Sequence, residues 1–287
     1  KKIFVPDGFC ISGFNYTIND STTLYTLSSY ETAERTLKFD FKNLKTIIYD
    51  ESTGNIFKTE FTSKIVTYYS KDSTLIPMYI VHSKKITPDS TSPLLLYAYG
   101  GFGSSMEPSY DGGFAMFMRS GGVLGIPLVR GGGELGAQWH KAGMRLNKQK
   151  GVDDFIAATE YFINNGMASP KRIAIHGGSN GGLLIGMAMV QRPELYKAVV
   201  PAVGLFDLAN FHKYTSAGYV GVREYGNPLD SADFHNLHRL SPLHNIKPGV
   251  VYPATLAFTG SNDDRVVPSH SYRFIAQLQN NVSKMNF

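Results

Sequence analysis

The rhythm of hydrophobic positions changes once along this chain. Up to about residue 50, apolar and polar residues alternate in short runs, at 9–18, 23–27 and 37–41, with the turn-forming Asn19, Asp20 and Ser21 between the first two. Short strands without a helical period cannot bury both faces alone, so this stretch reads as the end of a larger all-β domain, for which a propeller blade is one form. The polar stretch 49–55 then crosses to something different, and the boundary is placed between residues 50 and 51.

Beyond it, the β-rich runs 65–69 and 76–81 flank Lys71, Asp72 and Ser73, which predicts a hairpin. Strands then begin to alternate with helices. The runs 94–99, 123–129, 173–175, 199–203 and 255–258 are apolar on both faces, as parallel strands covered on each side by helices are. Between them Val152, Phe155, Ile156, Thr159, Phe162 and Ile163 share one helical face, with Asp153 and Asp154 in the expected first turn. A further helix is expected over 268–280, opened by Pro268. The pattern over 51–287 is that of an α/β domain built by right-handed crossovers.

Composition narrows what such a domain does. With 43% hydrophobic and 18% charged residues the 287-residue chain can bury a substantial core. No apolar run approaches the roughly 20 residues of a membrane span, and no secretory signal is visible. A single cysteine, Cys10, excludes an internal disulfide and makes a reducing, cytoplasmic setting the expectation. The net charge of +5 has no clustered basic stripe behind it, so neither nucleic acid nor a membrane surface is an expected partner. Asn15-Tyr16-Thr17 and Asn281-Val282-Ser283 match the glycosylation sequon and, without a signal, are read as coincidence. No metal cluster or dinucleotide fingerprint is present, so no cofactor is expected. The chain opens on Lys1, which suggests a fragment.

The most informative stretch is Gly177-Gly178-Ser179-Asn180-Gly181-Gly182, set directly after the apolar run 172–176 and directly before 183–188. Strand, glycine-hinged turn and helix start around one serine fit a nucleophile elbow, G-x-S-x-G. A phosphate-cradling loop or an ordinary βα turn is the plainer alternative. The glycines would let the chain reverse sharply and lift the hydroxyl clear of the sheet. A serine needs a base to take its proton and an acid to orient that base, and α/β-hydrolases carry them in the chain order serine, acid, histidine. The expected acid is Asp263, ahead of Asp264, in the loop after the last core strand. Two solvated aspartates in a surface turn are the alternative. His270 lies in the helix that this loop feeds, and His82, His140, His176, His212, His235, His238 and His244 all precede Asp263. The catalytic histidine is therefore expected beyond Phe287. For the oxyanion, the Asn180 backbone N–H is one expected donor, with a second from the loop 99–103, where Tyr99 offers a phenol.

Linked motifs then carry a resemblance. Tyr97-Ala98-Tyr99-Gly100-Gly101-Phe102, Arg130-Gly131-Gly132-Gly133-Glu134, Trp139-His140-Lys141, Ser169-Pro170-Lys171-Arg172, the elbow, Phe211-His212-Lys213-Tyr214, Ser241-Pro242-Leu243-His244-Asn245 and Asp263-Asp264-Arg265-Val266-Val267-Pro268 resemble, in this order, the prolyl oligopeptidase family. The similarity covers roughly residues 60–280. It implies an α/β-hydrolase fold preceded by a β-propeller, of which residues 1–50 would be the last blade, and a monomeric serine peptidase acting on short peptides. Position by position it implies Ser179 as nucleophile, Asp263 as orienting acid, and Tyr99 with the Asn180 amide as oxyanion hole. Arg265 would hold a substrate carbonyl, and Phe102, Leu205, Tyr225 and Val266 would line the pocket for the residue before the scissile bond. One departure stands out. The family stacks the substrate proline on a tryptophan, and here Val220 or Gly221 takes that place, with Tyr219 as a substitute aromatic; the one tryptophan is Trp139. Two other readings compete with a peptidase: a non-catalytic binding fragment, and a carboxylesterase on the same fold. The arginine after the aspartate pair favours a peptide substrate, because a simple ester has no backbone carbonyl to hold.

Overall fold

The structure, a computed structural model, describes residues 5, 8–15, 21–51, 60–214 and 218–282. The turn residues Asn19 and Asp20, the polar residues 52–55, the sequon residues Tyr16, Thr17 and Ser283, and the side chain of Tyr219 lie outside what is described.

Four strands, β1 (Phe9–Asn15), β2 (Thr22–Ser29), β3 (Arg35–Asp40) and β4 (Lys45–Glu51), form an antiparallel sheet in that order. Its covered face gathers Tyr25, Leu37 and Phe39, with Ile11 and Leu27 packed against them. The sequence pattern had no strand over β4, and the start of the polar crossing stretch, Tyr49 to Glu51, belongs to it. Ile47, Ile48 and Tyr49 are all exposed, so the run shows no buried alternation to read.

A second sheet has seven strands: β5 (Phe61–Tyr69), β6 (Leu75–Ser83), β7 (Leu94–Tyr97), β8 (Val123–Pro127), β9 (Ile173–Gly178), β10 (Ala198–Ala202) and β11 (Ala254–Thr255). Their order is β11-β10-β9-β7-β8-β6-β5, and β7, β9, β10 and β11 pair in parallel. Eight helices accompany the strands among the described residues: α1 (Gly112–Arg119), α2 (Ala137–Lys141), α3 (Lys148–Asn164), α4 (Asn180–Gln191), α5 (Phe211–Tyr214), α6 (Gly218–Tyr225), α7 (Ser231–Leu240) and α8 (Ser269–Val282). By internal contacts the chain divides into two compact units. One comprises residues 1–65, 80–87 and 107–124, and the other 66–79, 88–106 and 125–287.

The second unit carries the candidate site, and two of its elements matter most. β9 is apolar where it faces the helices, with Ile173 and Ile175 fully buried, and leads directly into α4, which is buried over nearly its whole length. α3 begins at Lys148, earlier than its apolar stripe indicates. Asp153 and Asp154 consequently lie past its first turn, and Asp154 is fully buried against Arg130 instead of serving the helix dipole. No described helix is long and apolar enough to cross a membrane.

Candidate active site

At the junction of β9 and α4 the backbone of Ser179 takes φ 56° and ψ −117°, a left-handed conformation that a side chain normally avoids. The turn is pinned: the Ser179 N–H donates to the Ala202 carbonyl at 2.8 Å, and the Leu183 N–H donates to the Ser179 carbonyl at 3.1 Å. The flanking glycines serve a purpose other than the expected reversal, since none of the four has positive φ. A Cβ on Gly177 would lie 2.6 Å from the Gly181 carbonyl oxygen, one on Gly181 2.4 Å from that of Ala98, and one on Gly182 2.6 Å from that of Ala202. They allow strand, helix and the neighbouring β7 end to touch, whereas Gly178 faces open space. The serine itself carries the strain.

Ser179 opens onto a cavity of about 190 Å³ lined by Tyr99, Phe102, Leu205, Phe211, Val220, Gly221, Tyr225, Arg265 and Val266. The structure thus brings together at one opening Ser179, the Tyr99 phenol and every side chain expected to bind substrate. Arg265 donates from Nη1 to the Ser179 Oγ at 2.9 Å. The Tyr99 phenol is raised above its ordinary pKa by burial, partly offset by a hydrogen bond with Ser179 and by the Arg265 charge. It therefore stays a proton donor at neutral pH. Asn180 opens α4, where backbone N–H groups and the helix dipole favour negative charge. Three aromatic rings build one wall: Phe102 meets Tyr225 edge to face at 5.7 Å, and Phe211 meets Tyr225 at 5.6 Å.

Asp263 does not line the cavity. Its Oδ1 accepts the backbone N–H groups of Arg265 at 3.0 Å and Val266 at 2.9 Å, so it shapes the turn that delivers both residues. No histidine among the eight hydrogen-bonds Ser179 or Asp263. His176 is tied by Nδ1 to the Val200 carbonyl within the sheet, and His140 to Glu224. His270 is 1% exposed, and its Nδ1 accepts the Asp207 N–H, while burial lowers its pKa to about 4.

Sequence reasoning missed a buried group beneath the pocket. Glu224, 2% exposed, accepts from Lys148 Nζ at 2.8 Å and lies 2.7 Å from His140 Nε2. Burial by itself would raise its carboxyl, but Lys148, His140 and the Phe102 N–H outweigh that and hold it below the usual range. Its position next to Tyr225 was the available signal. Lys148 offered none, because a lysine opening a helix reads as a solvated residue. Phe211, also missed as a wall, lay inside a quoted motif.

Known proteins resemble this chain in sequence and fold. Residues 108–287 match the prolyl oligopeptidase family. The prolyl endopeptidase of Elizabethkingia miricola is 39% identical over 280 residues, covering 97% of this chain and 40% of that protein. The dual function macrocyclase-peptidase POPB of Galerina marginata is 41% identical over 263 residues, covering 90% of this chain and 36% of that protein. A structure solved in a study of two prolyl endopeptidases superposes with a TM-score of 0.89 at 39% identity, covering 94% of this chain and 40% of that one. One of prolyl oligopeptidase B from Galerina marginata, bound to a 35mer hydrolysis and macrocyclization substrate, gives 0.89 at 38%, covering 95% and 39%. The chain spans about two fifths of the length of these relatives.

Proposed function

The chain belongs to the prolyl oligopeptidase family, and from that premise we propose that the protein it represents is a serine peptidase cleaving short peptides on the carboxyl side of proline, through an acyl-enzyme at Ser179. The observation that carries this reading is the strained Ser179, set between the Tyr99 phenol and the Arg265 guanidinium at the mouth of an apolar pocket.

The Ser179 Oγ attacks the scissile carbonyl carbon while a base takes its proton. The carbonyl oxygen, now an anion, is met by the Tyr99 O–H and the Asn180 N–H. The tetrahedral intermediate then expels the amine, which leaves with the proton held by the base, and water hydrolyses the ester in the reverse sequence. Asp263 orients the base, which on this reading is a histidine other than the eight in this chain. Arg265 suits a substrate carbonyl because its planar fork presents several donors at fixed angles. Phe102, Leu205, Tyr225 and Val266 enclose the residue before the scissile bond. Residues 1–50 are, on the same reading, the last blade of a propeller, and residues 51–287 the hydrolase domain.

Replacing Ser179 by alanine in the full-length protein tests this directly. Turnover of a short proline peptide should fall by about 10⁶-fold, and labelling by a fluorophosphonate should vanish. A Ser179→Ala protein that still labels or still turns over would remove the assignment.

A further inference from the structure

The loop 99–103 is an improbable conformation held in place from below. Gly100, Phe102 and Gly103 all have positive φ, at 60°, 57° and 64°, and Phe102 has no glycine's freedom to adopt it. Such backbone persists only where its surroundings over-determine it. Here two of the loop carbonyls are held by buried side chains. The Asn180 side-chain amide donates to the Tyr99 carbonyl. Lys148 Nζ donates to the Gly100 carbonyl at 3.1 Å. The Phe102 N–H helps to hold the Glu224 carboxyl below its ordinary pKa.

The two hydrogen bonds converge on one side of the pocket. Glu224 holds Lys148 at 2.8 Å, and it precedes Tyr225 on α6, whose ring lies 5.3 Å from Lys148 Nζ. The Tyr225 hydroxyl donates to Asn180 Oδ1 at 3.1 Å, so that one amide side chain is bound to the pocket wall through its oxygen and to the Tyr99 peptide through its nitrogen. Asn180, Lys148 and Glu224 are 0%, 3% and 2% exposed, and a low local dielectric strengthens such bonds. Space is matched as closely: a Cβ on Gly101 would sit 2.4 Å from Asn180 Nδ2.

We propose that Glu224 and the side chain of Asn180 are positioning residues for the reaction, holding the 99–103 loop in register so that the Tyr99 phenol stays at Ser179 while Tyr225 walls the pocket. The role rests on the serine-peptidase reading above. It goes beyond the Asn180 backbone amide as an oxyanion donor, and it assigns a part to a buried acid that the bond-breaking steps do not use. Occupancy of the pocket against Tyr225 and the placement of the oxyanion donor become one mechanical unit.

A double-mutant cycle in the full-length protein tests it, using a short peptide nitroanilide with proline before the scissile bond. Tyr225→Phe removes only the hydroxyl that reaches Asn180. Glu224→Gln removes the charge that holds Lys148. Each is made in the parent and in a Tyr99→Phe background. In the parent, each change should lower kcat about tenfold with KM within about twofold, and in Tyr99→Phe the same change should cost less than about threefold, because the group being positioned is gone. Equal losses in both backgrounds, or a loss confined to KM, would overturn the proposal, since a residue that only supports the fold or fills the pocket does not act through Tyr99. Should Glu224→Gln fail to fold, the Tyr225→Phe arm decides alone. Failure of the underlying reading looks different: Ser179→Ala would then be as active as the parent, whatever the cycle gave.

Discussion

Arg130 and Lys148 are both cations buried beside glycine-rich loops in the same compact unit, and their surroundings differ in kind. Arg130, 4% exposed, spends its fork on Asp154, Asp72, Ser70 and Thr74, and Asp154 accepts the Arg130 backbone N–H as well. Asp72, beside it, is held well below the usual carboxylate range by that guanidinium. Every partner belongs to the turn after β5 or to α3, and none lines the pocket. Lys148 instead reaches one carboxylate and one loop carbonyl, and both lead to residues that line the pocket. A rigid, five-donor side chain staples elements of the fold, whereas a single ammonium on a flexible stem props a loop. On the proposed reading, the buried charge that bears on the reaction is the one whose partners adjoin pocket-lining residues.

The largest effect expected from breaking this contrast is on stability. Asp154→Ala leaves the Arg130 charge buried with one of its two carboxylates gone, and losing one member of a buried pair costs about 3 to 5 kcal/mol. Urea unfolding should show that loss while kcat of the protein that remains folded stays within about twofold. A normal midpoint, or a kcat loss like that of Glu224→Gln, would merge the two clusters into one.

Acid provides a second way to separate them. His270 is buried without a carboxylate hydrogen-bonded to it, and its Nε2 has no partner among the described residues. Its folded pKa is lowered from 6.5 to about 4, mainly by burial. Below 6.5 the unfolded chain binds a proton that the folded one refuses, so stability falls as pH drops from about 6.5 to about 4 and levels off below. The gap corresponds to on the order of 3 kcal/mol. Urea midpoints taken across that window should show this slope, and His270→Gln should flatten it. A slope that survives the substitution would place the acid sensitivity in the paired clusters.

The smallest effect concerns the pocket wall. A Cβ on Gly221 would lie 2.5 Å from the Phe211 ring, whereas Val220 lines the cavity and is half exposed. Only Val220 has room for the ring that the family pattern stacks on proline. Val220→Trp should improve discrimination of proline over alanine by about 0.5 to 1.5 kcal/mol, the worth of one aromatic contact beyond area burial. Matched kcat/KM values on the two peptides measure it, and an unchanged ratio would mean that the wall is already complete with Phe102, Phe211 and Tyr225.

What the sequence determined by itself was everything carried by local periodicity and local chemistry. Two-faced apolar runs foretold the parallel strands β7, β9 and β10, and glycines around Ser179 foretold the strand-turn-helix. The family resemblance implied Tyr99, Phe102, Leu205, Tyr225, Arg265 and Val266, and these residues share one opening. Only the tertiary structure decided the rest. It placed the strain of the elbow on the serine instead of on its glycines, since contact with Ala98 and Ala202 is a long-range matter. It set the start of α3 at Lys148, which lies outside the apolar stripe and is buried against Glu224. It also buried Lys148 and Glu224, to which the sequence pattern assigns no role, as a pair beside the 99–103 loop. A polar residue's role depends on which partner folding brings to it, and that pairing leaves no period in the sequence.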